Sequence, residues 1–116
     1  MTFVTTLDVT GLTETEYRAV LDRMGVEQSP EPGIYLHLTV PTDFGFRIIE
    51  IWDRKEGFEE FAERRMYPAL RALGIERDTV VTIRPLHNLF APRLDELPGL
   101  VGALPGAPHV TDPAPR

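Results

Sequence analysis

The sequence predicts an α+β fold with element order β-α-β-β-α-β. Three observations carry this reading. Two stretches place apolar residues at helical spacing behind acidic or hydroxyl starts, four short stretches are rich in β-branched residues, and a five-residue turn joins the second and third of those strands. A turn that short requires the next strand to return antiparallel.

The first strand is expected over 2–9, where threonine and valine dominate. Thr13 to Glu16 reads TETE, a capping box in which the Thr13 oxygen accepts an orphan helix amide while Glu16 reaches back. Tyr17, Val20, Leu21 and Met24 then form one apolar helix face, and Gly25 stands where a left-handed cap ends a helix. Two prolines and a glycine make 29–33 a loop. Over 34–40 the pattern alternates, with Ile34, Leu36, Leu38 and Val40 on one face and Tyr35, His37 and Thr39 on the other. The turn 41–45 leads to a strand over 46–52, which places Phe46, Ile48, Glu50 and Trp52 on one side and Arg47, Ile49 and Ile51 on the other. Asp53 with Glu56 repeats the capping logic, and Phe58, Phe61, Ala62, Met66, Ala69, Leu70 and Leu73 mark the buried face of a second helix. Pro68 opposes the carbonyl of Arg64, so a kink or short break is expected there, with Gly74 ending the helix. The fourth strand is expected over 79–86.

This order is the split βαβ, or ferredoxin-like, arrangement: a four-stranded antiparallel sheet with two helices on one face. In this reading Ile49 and Ile51 pack toward the helices. Tyr35, His37, Glu50 and Trp52 lie on the uncovered face, for which a second copy of the sheet is the simplest cover. The domain is expected over 1–90. Residues 91–116 differ: six of the chain's eleven prolines fall there, with Leu94, Leu97, Leu100, Val101 and Leu104 at intervals. They read as a Pro/Gly-rich tail, or through 94–104 as an arm laid on a partner subunit or over a cavity mouth.

At 116 residues one domain is expected, and small domains often gain burial by dimerising. The formal charge is −6 and no basic run occurs, so the footprint of a nucleic-acid binder is missing. No apolar stretch reaches the length of a membrane span. The N-terminal MTFVTTLDV has no basic region followed by a long apolar run, so no signal peptide and a cytoplasmic location are expected. With no cysteine, disulfides, thiolate metal sites and cysteine nucleophiles are excluded. The histidines are scattered without metal-ligand spacing, and neither a phosphate loop nor a nucleophile elbow appears, so neither metal nor cofactor is expected.

The element order and the W-D-x-x-x-x-F-x-x-F segment (Trp52, Asp53, Phe58, Phe61) resemble the dimeric α+β barrel superfamily, and within it the antibiotic-biosynthesis-monooxygenase-like (ABM-like) branch. The likeness covers about 2–90. It implies two sheets paired into a barrel, with a cavity in each chain between sheet and helices. The branch includes cofactor-free oxygenases of polycyclic phenols, and the wider superfamily includes cyclases, haem-degrading enzymes and ligand-sensing domains. Trp52 matches a strand-end tryptophan that lies near substrate in such oxygenases. The haem-degrading type carries a ligating histidine on its second helix, and 53–73 contain none. His37 and Tyr35 stand where the cyclase type uses His and Tyr.

Each candidate has a plain structural reading beside the functional one. His37 is a candidate base, or a satisfied interface histidine. Glu50, if buried, is a candidate acid or base, or a partner of an arginine across the interface, such as Arg84. Trp52 is a stacking platform for a flat ligand or a core residue. Tyr35 and Tyr17 are candidate ligand contacts, with Tyr17 reading first as helix-face packing. His87 is a pocket-mouth candidate or a turn residue. The functional expectation is a homodimeric small-molecule enzyme without a cofactor, a monooxygenase or cyclase acting on an aromatic or polyketide-like compound. The alternative is a non-catalytic ligand-binding or dimerisation module.

Overall fold

The computed structural model describes residues 1–98; the expectations placed on 99–116 lie outside them. Strand β1 (Phe3–Thr10) leads into helix α1 (Glu14–Met24), then β2 (Ile34–Pro41) and β3 (Gly45–Trp52). Helix α2 (Lys55–Phe61) runs through a π turn (Ala62–Met66) into α3 (Tyr67–Leu73), and β4 (Thr79–Pro85) completes the sheet. The order across the sheet is β2-β3-β1-β4, every pair antiparallel. This is the ferredoxin-like arrangement that the element order predicts.

Local signals act where they were read. Thr13 and Glu16 form both halves of the capping box. Gly25 (φ 68°) and Gly74 (φ 66°) end their helices in the left-handed region, where a Cβ is penalised. In the β2–β3 hairpin, Gly45 lies so close to β1 that a Cβ would stand 2.2 Å from the Val9 carbonyl oxygen. The break expected at Pro68 appears one turn earlier, as the π turn. Proline has no N–H for the Arg64 carbonyl, and the Tyr67 N–H donates to Ala62, five residues back.

Four expectations need correction. Asp53 does not cap α2: the N-cap position is Arg54, with no side-chain cap bond. Instead the Asp53 N–H donates to the Gly33 carbonyl at 2.9 Å, and its carboxylate lies over Gly33. Leu73 is exposed rather than buried. The alternation of β2 is broken, because Ile34 pairs with Trp52 while Leu36 pairs with Ile51. Tyr35 is therefore the extra residue of a β-bulge and is 68% exposed.

The fourth correction concerns the faces of the sheet. The helices cover the side that carries Glu50 and Trp52, not the side of Ile49 and Ile51. Across the sheet, the register aligns His37–Glu50–Thr5–Ile83 in one row and Thr39–Ile48–Leu7–Val81 in the next, both toward the helices. Trp52, 2% exposed, joins Leu7, Val9, Leu12, Phe58, Phe61 and Ala62 in the core. Its ring meets Phe61 at 5.6 Å and Phe58 edge-on at 6.4 Å. Gly57 admits the indole: a Cβ there would stand 2.9 Å from a Trp52 ring carbon. The uncovered face carries the rows Leu36–Ile51–Val4–Arg84, Leu38–Ile49–Thr6–Thr82 and Val40–Arg47–Asp8–Val80.

Candidate functional site

Between the sheet and the helices lies a cavity of about 1470 Å³. Its walls are mainly apolar: Val20, Leu21 and Met24 from α1, Phe61, Met66 and Leu70 from the second helical stretch, and Leu7, Val9, Ile48 and Val81 from the sheet. Into this wall β2, β3 and α1 project a connected polar group. The bulge at Tyr35 sets its geometry, because it lets Ile34 and His37, three apart in sequence, face the same side.

The connections run in one direction. The Trp52 indole N–H donates to Glu50 Oε1 at 3.1 Å, and His37 Nδ1 lies 2.7 Å from Glu50 Oε2. Tyr17 Oη lies 2.7 Å from His37 Nε2, and the Thr39 hydroxyl donates to Tyr17 Oη at 2.8 Å. One proton assignment satisfies all four bonds: Thr39 donates to Tyr17, Tyr17 to Nε2, Nδ1–H to Glu50, and the indole to the other carboxylate oxygen. Glu50 is 5% exposed and accepts two donors as a carboxylate, which is how a buried charge is retained. The His37 side chain keeps 30% of its surface accessible, so the chain of bonds begins in the core and ends at the cavity. The Tyr17 ring lies nearly parallel to those of His37 and Phe46, with centroids 6.0 and 5.9 Å away, and meets His37 end-on through its hydroxyl. Burial pushes its phenol above the ordinary value near 10, against the opposing pull of the Thr39 bond.

The structure thus brings together Tyr17, His37, Glu50 and Trp52. Tyr35 lies in the cavity wall but stands out into solvent at the bulge. His87 is exposed beyond β4 and does not reach the cavity lining. Arg84 lies on the opposite face of the sheet from Glu50, so the two do not pair within the chain. Of the arm residues, Leu94 lines the cavity and Leu97 is exposed.

Two parts of the site escaped the sequence reading. Thr39 shares a face with His37, two residues away on one strand, and that spacing was the available signal. Glu31 was hidden in a Pro/Gly loop. It lines the cavity, is buried, and pairs with Arg64 and with Arg65 Nη1 at 2.7 Å. Arg65 also donates to the carbonyls of Met24 and Ser29 at 2.6 and 2.9 Å, which ties the end of α1 to the π turn. Burial alone would raise the Glu31 pKa, but Arg65 and Arg64 outweigh it and hold the carboxyl below its ordinary value. Among the described residues, no three His, Asp or Glu side chains converge to hold a metal ion.

In sequence the chain matches no protein-family model and no curated protein. Solved structures do match. SnoaB, a cofactor-independent oxygenase from Streptomyces nogalater, aligns at TM-score 0.53 and 20% identity over 76% of this chain and 93% of its own. The chain has the fold of the ABM-like dimeric α+β barrel proteins. A Nitrosomonas europaea protein described as a candidate antibiotic biosynthesis monooxygenase aligns at TM-score 0.52 and 11% identity, covering 72% of this chain and 88% of that one. A dimeric ferredoxin-like protein of unknown function from Thermobifida fusca aligns at TM-score 0.52 and 12% identity, over 73% and 92% of the two chains. At these identities the likeness is one of fold.

Proposed function

We propose that this ABM-like chain is a small-molecule enzyme that deprotonates a hydroxylated aromatic or polyketide-like compound without a bound cofactor. The observation that carries the reading is the buried Glu50 carboxylate behind His37, in the wall of a large apolar cavity. Glu50 fixes the Nδ1–H tautomer and opposes the charge of the imidazolium, so Nε2 is the basic atom on the cavity side. Apolar walls suit a multi-ring ligand and exclude water from the anion once formed. In an oxygenase reaction that anion gives its electrons to O₂ as a C–O bond forms; in a cyclase reaction it attacks a carbonyl of the same molecule. The fold shared with a cofactor-independent oxygenase favours the first.

The uncovered sheet face suits a second copy of the chain. Leu36, Leu38, Val40, Ile49 and Val4 gather on its β2–β3–β1 side, and Leu38 and Val40 are each 40% exposed. The working unit in this reading is a homodimer of 1–90 domains. Light scattering is expected to give a dimer mass, and a monomer would remove the barrel.

The catalytic test is a panel of polyphenols followed by Trp52 fluorescence and O₂ uptake. Binding with O₂ consumption is expected, reduced about 10²–10⁴-fold by His37→Ala or Glu50→Gln. A second reading, a ligand-binding module, has one observation in its favour: among the described residues no buried side-chain nitrogen or oxygen lacks a partner. Binding without turnover, unaltered by both substitutions, would establish it instead.

A further inference from the structure

His37 Nε2 is already occupied. Tyr17 Oη lies 2.7 Å from it and Thr39 Oγ1 3.1 Å, while a neutral imidazole has one acceptor position at that nitrogen. A ligand hydroxyl entering the cavity therefore does not meet a free base. It meets the Tyr17 oxygen, whose acceptor side is marked by the hydroxyl of Thr39 at 2.8 Å.

We infer that Tyr17 is the residue that touches the ligand and relays its proton to His37, with Thr39 as the positioning residue that sets the direction of transfer. The inference rests on the deprotonation reading above and assigns its first step. A ligand O–H joins or replaces Thr39 as the donor to the Tyr17 oxygen. As the ligand O–H bond breaks, a new Tyr17 O–H bond forms. The original Tyr17 O–H bond breaks at the same time, and a His37 Nε2–H bond forms. Tyr17 ends neutral. The negative charge rests on the ligand oxygen and the positive charge on the imidazolium, against Glu50.

Three independent observations fit this role. The Tyr17 hydroxyl is held by both His37 and Thr39, and its ring lies nearly parallel to Phe46 at 5.9 Å, so its oxygen holds position without a ligand. Thr39 Oγ1 lies within reach of both Tyr17 Oη and Nε2, so it can yield its place at Tyr17 when a ligand arrives and accept from Nε2–H once His37 has taken the proton. The phenol also ionises above its ordinary value, which keeps Tyr17 protonated and able to donate to Nε2 at neutral pH.

Two readouts test the relay. In the first, the phenol of the panel that turns over fastest is followed with Tyr17→Phe, and the rate is measured in mixtures of H₂O and D₂O. Tyr17→Phe leaves Nε2 bare. A relay predicts a fall of about 10²-fold in kcat, with a dependence on deuterium fraction that changes from two protons in flight to one. Direct transfer to Nε2 predicts an unchanged or higher kcat and one proton in both proteins, and would overturn the inference while leaving His37 as the base. In the second, calorimetry compares 1-naphthol with 1-methoxynaphthalene. Preference for the naphthol is expected to persist in His37→Ala, where the Tyr17 oxygen remains to accept it; its loss in His37→Ala would also overturn the inference. Thr39→Val is expected to lower kcat more than it changes KM, and Thr39→Ser to restore it, which a packing role for the methyl group would not produce. Absence of turnover in the unaltered protein would overturn the deprotonation reading and the relay together, an outcome distinct from turnover that ignores Tyr17.

Discussion

The two faces of one sheet solve opposite problems. On the helix side, a carboxylate, an imidazole, a phenol and an indole N–H are buried or half-buried, and each finds its partner within the chain. On the other side, leucine, isoleucine and valine stand in register rows, with Leu38 and Val40 each 40% exposed, and the polar groups there, such as Asp8 and Arg47, pair at the surface. The polar site is thus complete in one chain, whereas the apolar face is not. A buried polar network is costly unless it is satisfied, and an apolar face is costly unless it is covered. The first condition is met by tertiary contacts, and the second is the one for which a second copy of the chain is proposed.

Substitutions on the two faces are expected to separate these roles. The largest effect falls at Trp52→Ala, which empties a core position and removes a donor from Glu50. A loss of about 4 kcal/mol is expected in urea unfolding. A loss as small as that of a surface substitution would show that the helix side is not a packed layer. Next comes Glu31→Gln, at about 3 kcal/mol, the low end for a buried pair because Arg64 stays in water. The sign with pH is fixed. The Glu31 pKa is depressed below about 4.5 in the fold, so its contribution is complete above that value and is lost as pH falls through the lower folded pKa. The variant is therefore expected to show a flatter acid limb in thermal melts. On the open face, Leu38→Glu is expected to cost about 2 kcal/mol of dimer stability by burying an unpaired charge, read as a shift to monomer in dilution light scattering. If Leu38→Glu left the dimer intact, the cover would lie elsewhere. Gly57→Ala is expected to cost about 1 kcal/mol: helix propensity gains roughly that much, but the methyl group meets the Trp52 ring. Arg47→Gln, on the open face and exposed, is expected to leave Tm unchanged, as a solvated ion pair should.

Much of the site was legible as a set of residues but not as an arrangement. His37, Glu50, Trp52 and Tyr17 all stood out by type. Their side of the sheet was misread for a physical reason: both faces of β3 are apolar, with Phe46, Ile48 and Trp52 against Ile49 and Ile51, so Glu50 looked like the mark of the face away from the helices. Its donors come from Trp52, two residues away, and from His37, thirteen away, and the second bond exists only once β2 and β3 pair. The bulge compounded the error. One unpaired residue at Tyr35 reverses the facing of the start of β2 relative to its remainder, and strict alternation has no means of showing it.

The sequence by itself determined what depends on neighbours within a few residues. The capping box at Thr13–Glu16, the left-handed glycines at 25 and 74, the hairpin turn and the break forced by Pro68 are contests among adjacent backbone groups, and their outcome follows from residue type. With the order of elements they fix a ferredoxin-like fold. Tertiary structure alone decided which face of the sheet is inside, that Glu31 is held by Arg64 and Arg65 more than thirty residues away, and that Tyr17 and Thr39 close on the same imidazole nitrogen. Burial and long-range pairing set those outcomes, and both are properties of the assembled layers rather than of any local segment.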